Sequence, residues 1–69
     1  MAEPERLIDP ERVGDALTVG AEYHPDENVV TIYFASPEQS TALNLEPEKE
    51  ELENLVRAIR RIKKAYESR

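Results

Sequence analysis

The chain has 69 residues, nine of them basic and fifteen acidic, which gives a formal net charge of −6 at neutral pH. This length allows one small domain and excludes a two-domain enzyme, while the absence of cysteine excludes disulfides, thiolate metal sites and cysteine nucleophiles. Apolar residues make up 39% of the chain, but seven of them are alanine. The sequence therefore predicts a thin core that needs regular packing or self-association for stability.

Residues 1–15 are predicted to form a short N-terminal arm, ahead of a single α+β domain over residues 16–69. The arm contains few large apolar side chains, and Asp9, Pro10 and Gly14 follow the order expected of one short helical turn. The stretch from Met1 to Ile8 is charged and has no apolar run, so it predicts neither a secretory signal nor a membrane span. A cytoplasmic protein with no membrane partner is expected.

Three strands are predicted to follow the arm. Apolar and polar residues alternate from Leu17 to Tyr23, and Val29–Ala35 is dense in β-branched and aromatic residues. Between these segments, the residues at 24–28 (His-Pro-Asp-Glu-Asn) have the composition of a hairpin turn. A second polar turn over 36–40 leads to a third alternating segment, Thr41–Leu45. The pattern predicts a three-stranded antiparallel meander.

The remaining residues are predicted to form one helix that begins after Glu46, with Pro47 at its first position. Its apolar residues recur at three- and four-residue spacing, which is typical of a helix with one buried face. The predicted fold is therefore β-β-β-α, with the helix packed on one face of the sheet. The predicted core beneath the helix consists of Leu17, Val19, Tyr23, Val30, Ile32, Phe34, Leu43 and Leu45.

Two predicted surfaces carry more apolar area than a single core can bury. The apolar and alanine positions of the helix span about half its circumference, wider than the roughly 100° that one contact requires. The sheet face opposite the helix is semi-apolar and has no covering element. These two surfaces are the candidate sites for a protein partner or a second copy of the chain, so a homodimer is expected. The candidate partner-binding residues are Val29, Thr31 and Tyr33 on the sheet, and Ala58, Ile62 and Ala65 on the helix.

The sequence contains no pattern of catalytic, metal-binding or cofactor-binding residues. His24 is the single histidine and lies in a predicted turn, where a solvated side chain is the expected state. The neighbouring Asp26 and Glu27 lack the length and the glycine of a calcium loop, and there is no glycine-rich phosphate loop. The chain is therefore predicted not to be an enzyme, and no cofactor, metal or small-molecule substrate is expected.

Charge is segregated along the chain. Residues 57–69 contain six of the nine basic residues and one of the fifteen acidic residues, which leaves three and fourteen for residues 1–56. The two parts therefore carry about +5 and −11. Four of the basic residues lie within one arc of the predicted helix and are geometrically able to contact phosphates, although the net acidic field opposes a polyanion. These possible nucleic-acid contacts are Arg57, Arg60, Arg61 and Lys64.

Two resemblances are visible in the C-terminal half. The junction Leu43-Asn44-Leu45-Glu46-Pro47, leading into Leu52 and Leu55, resembles the end of the transcriptional positive-cofactor family of single-stranded DNA binders. That family places a curved four-stranded sheet before a dimerising helix, whereas three strands without basic residues are predicted here. The segment from Glu48 to Lys64 is similar in style to a computationally designed helix, because strong helix formers with ordered charges fill it.

The leading hypothesis is a small acidic protein–protein interaction module without catalytic activity, which self-associates through the sheet face or the helix. One alternative is an acidic inhibitor of the phage type, which would block a basic nucleic-acid-binding partner. The other is single-stranded nucleic-acid binding through the basic arc of the helix.

Overall fold

A computed structural model describes residues 2–69 as a four-stranded antiparallel sheet followed by one helix, an α+β fold. The strands lie in the sheet in chain order, and a short 3₁₀ turn, Pro47–Lys49, leads into helix α1, Glu51–Glu67. The predicted meander is present, but the prediction of three strands is wrong. The four strands are β1 (Glu5–Arg12), β2 (Thr18–His24), β3 (Val29–Ala35) and β4 (Ser40–Leu45).

Strand β1 occupies the segment predicted to be an arm, and no helical turn forms there. Its pairing with β2 shifts register between Arg6 and Ile8 and again between Ile8 and Glu11. Each shift places extra residues on β1 opposite a single partner, so apolar and polar side chains do not alternate along it. Pro10 also lacks the amide hydrogen that a regular ladder uses. Because these irregularities remove the period of two, the sequence pattern does not reveal the strand.

Strands β2, β3 and β4 pair without register shifts. The predicted hairpin turn joins β2 to β3: the Glu27 N–H donates to the His24 carbonyl, and the Asn28 N–H donates to the Pro25 carbonyl, both at 3.3 Å. Asn28 has a φ of 52°, a left-handed conformation that asparagine tolerates better than most residues. The hairpin predicted from the composition of this turn is confirmed.

Regular pairing gives the sheet two chemically different faces, since residues directly opposite each other on antiparallel strands share a face. The apolar face is formed by Val19, Ala21, Tyr23, Val30, Ile32, Phe34, Leu43 and Leu45. The polar face includes Glu22, His24, Thr31, Tyr33 and Asn44.

Helix α1 does not lie across the sheet, which contradicts the predicted packing on one face. The helix contacts the preceding 3₁₀ turn, while each strand contacts its neighbours in the sheet. The molecule is consequently long and flat, with extents of 48 × 30 × 17 Å. Val30, with 6% of its surface exposed, is the one buried large apolar side chain among residues 2–69. The apolar face of the helix predicts that another surface covers it, but the spacing of the apolar residues does not identify that surface.

The turn between β4 and α1 sets the direction of the helix. The Glu46 N–H donates to Glu51 Oε1 at 2.7 Å, and Lys49 Nζ lies 2.7 Å from Glu46 Oε2. This bonded Glu46 carboxylate raises the pKa of Lys49 above its usual value. Glu50 then adopts a left-handed conformation, with a φ of 59° and a ψ of 25°, immediately before the first residue of α1. The helix therefore begins four residues later than predicted, after a change of chain direction that apolar spacing does not reveal.

Candidate interaction surfaces

The exposed apolar side of α1 is the main candidate surface, and we call it the α1 stripe. All of its side chains except Val56 repeat at alternating three- and four-residue intervals, the spacing with which paired helices bury a common line of contact. Ile59, Ile62 and Tyr66 are 54%, 68% and 66% exposed. The C-terminal part of the stripe is therefore uncovered in a single chain. The α1 stripe consists of Leu52, Leu55, Val56, Ile59, Ile62 and Tyr66.

The helix residues predicted to bind a partner lie on or beside this stripe. Ile62 belongs to it, and helical geometry at 100° per residue places Ala58 and Ala65 along one of its flanks. Alanine side chains at such positions allow a second backbone to approach closely. All three residues are exposed in the single chain.

The basic arc predicted for nucleic-acid contact begins on the other flank of the stripe and extends to the opposite side of α1. Arg57, Arg60, Arg61 and Lys64 are all exposed. Arg57 Nη1 donates to Asn54 Oδ1 at 3.0 Å, so one of the four is held by a neighbour on the same helix. Together they form a band of positive charge along the C-terminal half of α1.

Charge changes sign along the length of α1 and its lead-in turn. Residues 48–56 contain four glutamates and one lysine, whereas residues 57–69 contain six basic residues and one acidic residue. The helix dipole stabilises this order within one chain, because acidic groups favour a helix N-terminus and basic groups a C-terminus. The same order makes the two ends of the helix electrostatically complementary.

The polar face of the sheet, where Val29, Thr31 and Tyr33 are the predicted partner-binding residues, is largely hydrogen-bonded within the chain. The Tyr33 hydroxyl donates to Glu22 Oε2 at 2.9 Å, and His24 Nε2 lies 3.5 Å from the same oxygen. Thr31 is only 5% exposed, and its hydroxyl donates to the Asn44 side chain at 2.8 Å. Of the three predicted residues, Thr31 is thus buried, Val29 is half-buried and Tyr33 is exposed.

We expect the phenol of Tyr33 to titrate above the ordinary tyrosine range. Its hydrogen bond to the Glu22 carboxylate favours the neutral phenol and raises its pKa, and partial burial and the Glu22 charge act in the same direction. Because the folded-state pKa is raised, this contact stabilises the fold below the ordinary tyrosine pKa. That contribution is lost as the pH rises through the raised value.

The difference between the ultraviolet pH titration curves of the parent chain and of the Tyr33→Phe variant separates the phenol of Tyr33 from those of Tyr23 and Tyr66. In a Glu22→Gln background the pKa of Tyr33 should return towards its ordinary value, because the carboxylate is gone. Identical Tyr33 titration curves with and without the Glu22 carboxylate would contradict the assignment.

The apolar face of the sheet is the third uncovered surface. Val19, Ile32 and Phe34 are only half-buried, and Leu43 remains 41% exposed. This is the face against which the helix is predicted to pack, and in the single chain it has no such cover. Residues 2–69 thus present two apolar surfaces, one on the sheet and one on α1.

Within residues 2–69 there is no group of three or more His, Asp or Glu side chains placed to hold a metal ion. His24 Nε2 lies 3.5 Å from Glu22 Oε2, beside the hairpin turn. No helix in this part of the chain is long and apolar enough to cross a membrane.

Comparison with known proteins finds no matching family model, no matching curated protein and no matching solved structure.

Proposed function

We propose that this protein is a non-catalytic interaction module that forms a homodimer through the α1 stripe. The observation that carries the proposal is the exposure of this stripe: Ile59, Ile62 and Tyr66 each expose more than half of their surface along one line of a regular helix. Large apolar side chains repeated in this way gain free energy when a second surface removes them from water.

The surface area of the chain supports a second copy as the partner. A compact monomer of 7.9 kDa exposes about 4,400 Å², whereas this chain exposes 5897 Å². Its radius of gyration is 13.8 Å, against about 11 Å for a compact chain of this length. The excess of about 1,500 Å² per chain is larger than the roughly 800 Å² that each partner buries in a standard interface. In a symmetric dimer, each chain buries part of its excess surface against the same surface of the other chain.

The charges of α1 favour an antiparallel orientation of the two helices. In this orientation, the acidic residues 48–56 of one chain lie beside the basic residues 57–69 of the other, and the helix dipoles oppose each other. A parallel pair would instead bring the two basic ends together. Two-fold symmetry, the commonest arrangement in homodimers, is compatible with antiparallel pairing.

Two further observations bear on the alternatives. The resemblance to the positive-cofactor family now extends to four strands before a C-terminal helix, and the dimerising helix of that family supports self-association. Strand β1 also places Arg6 and Arg12 on the sheet, but Glu5, Asp9 and Glu11 accompany them. Neither nucleic-acid binding nor inhibition of a basic partner has a feature more specific than charge. Self-association through the α1 stripe is the function that the geometry supports best.

Sedimentation equilibrium combined with spin labelling tests both the dimer and its orientation. The chain has no cysteine, so one introduced cysteine carries a label at Asn54, Arg61 or Ser68, which are spaced seven residues apart and lie off the stripe. Antiparallel helices should place the Ser68 labels about 20 Å farther apart along the axis than the Arg61 labels. Equal separations at all three positions would indicate parallel helices, and a monomer at every concentration would remove the proposal.

A further inference from the structure

The two edges of the sheet differ in a way that the α1 stripe does not explain. The β1 edge carries Pro10, four charged residues from Arg6 to Arg12 inclusive, and two register shifts. These are the devices with which natural sheets prevent an edge from pairing with another chain. The edge formed by β1 is therefore protected.

The β4 edge has none of these devices. Its sequence, Ser-Thr-Ala-Leu-Asn-Leu from Ser40 to Leu45, contains no charged residue and no proline, and all six residues pair with β3 without a register shift. Five of the six residues are exposed. Among residues 2–69, no backbone hydrogen bond from another segment occupies the outer side of β4, and α1 does not lie along it. A regular, uncharged edge of this kind is a template for another strand.

We infer that β4 pairs antiparallel with β4 of a second copy, so that the two sheets join into one continuous eight-stranded sheet. The inference rests on the proposed homodimer and assigns a second contact to it. An antiparallel pair of identical strands is symmetric about a two-fold axis, as a homodimer requires. No like charges meet, because β4 carries none.

Side-chain alternation and chain connectivity support a second copy as the occupant. Thr41, Leu43 and Leu45 all lie on the apolar face, so pairing β4 with its copy makes the two apolar faces continuous across the axis. Helix α1 begins six residues after β4 ends, so the C-terminal part of the chain supplies both contacts. The excess surface of about 1,500 Å² exceeds a standard interface and leaves area for both contacts.

Single spin labels on the β strands test the joined sheet directly. A label at Ala42 should show strong dipolar broadening, because the two β4 strands lie roughly 5 Å apart. A label at Glu11, on the outer edge, should report a backbone separation of about 34 Å, which corresponds to seven strand spacings. A dimer in which Ala42 labels show no broadening would overturn the joined sheet while leaving the α1 dimer in place. A monomer would overturn both.

A matched pair of substitutions provides a second readout. Ala42→Lys places like charges near each other across the symmetry axis and should weaken the dimer by about tenfold or more. Ala16→Lys makes the same change at an exposed position in the loop between β1 and β2, and should leave the dissociation constant unchanged. Equal dissociation constants for the two variants would overturn the inference, and circular dichroism confirms that both variants keep the fold.

Discussion

Replacing Ile59 with glutamine should dissociate the proposed dimer at concentrations where we expect the parent chain to be fully dimeric. Ile59 lies at the middle of the α1 stripe and is 54% exposed in the single chain. The substitution removes two isoleucine side chains from the interface, each worth about 1.5–3 kcal/mol when buried, and places two amides there. A loss of about 4 kcal/mol or more corresponds to a dissociation constant raised by about 10³-fold.

Glutamine keeps the net charge and is a good helix former, so neither charge nor helix propensity accounts for the expected change. The matched control is Asn54→Gln, an equally neutral substitution at an exposed position off the stripe. Sedimentation equilibrium should return the parent dissociation constant for this control. If Ile59→Gln and Asn54→Gln associate equally well, the α1 stripe is not the interface.

Dilution should lower the melting temperature of the parent chain by about 5 °C for each tenfold decrease in concentration. Only Val30 is a buried large apolar side chain among residues 2–69, so a single chain retains little to hold it folded. Unfolding should therefore be coupled to dissociation, and mass action then makes the midpoint depend on concentration. The figure follows from an unfolding enthalpy of about 0.7 kcal/mol per residue over both chains.

Circular dichroism melts over three decades of concentration measure this dependence. The Ile59→Gln variant serves as the comparison, since it should melt at a lower temperature than the parent at each concentration. A melting temperature that stays constant on dilution would show that the single chain folds without a partner.

The regular parts of the fold could be predicted from the sequence because a local pattern marks each of them. Alternation marks β2 and β4, β-branched and aromatic residues mark β3, and the turn residues His24–Asn28 mark the hairpin. Strand β1 does not follow, because its register shifts break the alternation on which recognition of a strand depends. Pro10 further hides this strand, because a proline in the sequence counts against predicting a strand.

The placement of the helix was not accessible for a different reason. Apolar spacing in α1 indicates that its stripe is to be covered, and an intramolecular sheet face is the nearest cover that a single sequence suggests. Two features of the turn direct the helix away from the sheet: the left-handed conformation of Glu50 and the hydrogen bond from the Glu46 N–H to the Glu51 side chain. Neither feature requires a residue type that would reveal it in the sequence. The sequence therefore locates the candidate surface on the helix, whereas only the three-dimensional structure shows that this surface is uncovered.

The irregular pairing of β1 bears on the stoichiometry of the assembly. If two β4 strands join, both outer margins of the combined sheet are β1 strands, each with Pro10 and two register shifts. A third chain then meets no straight ladder that it can extend, so addition stops at two copies and does not proceed to fibrils. The strand with the poorest β pattern in this chain would thus be the one that keeps its assembly finite.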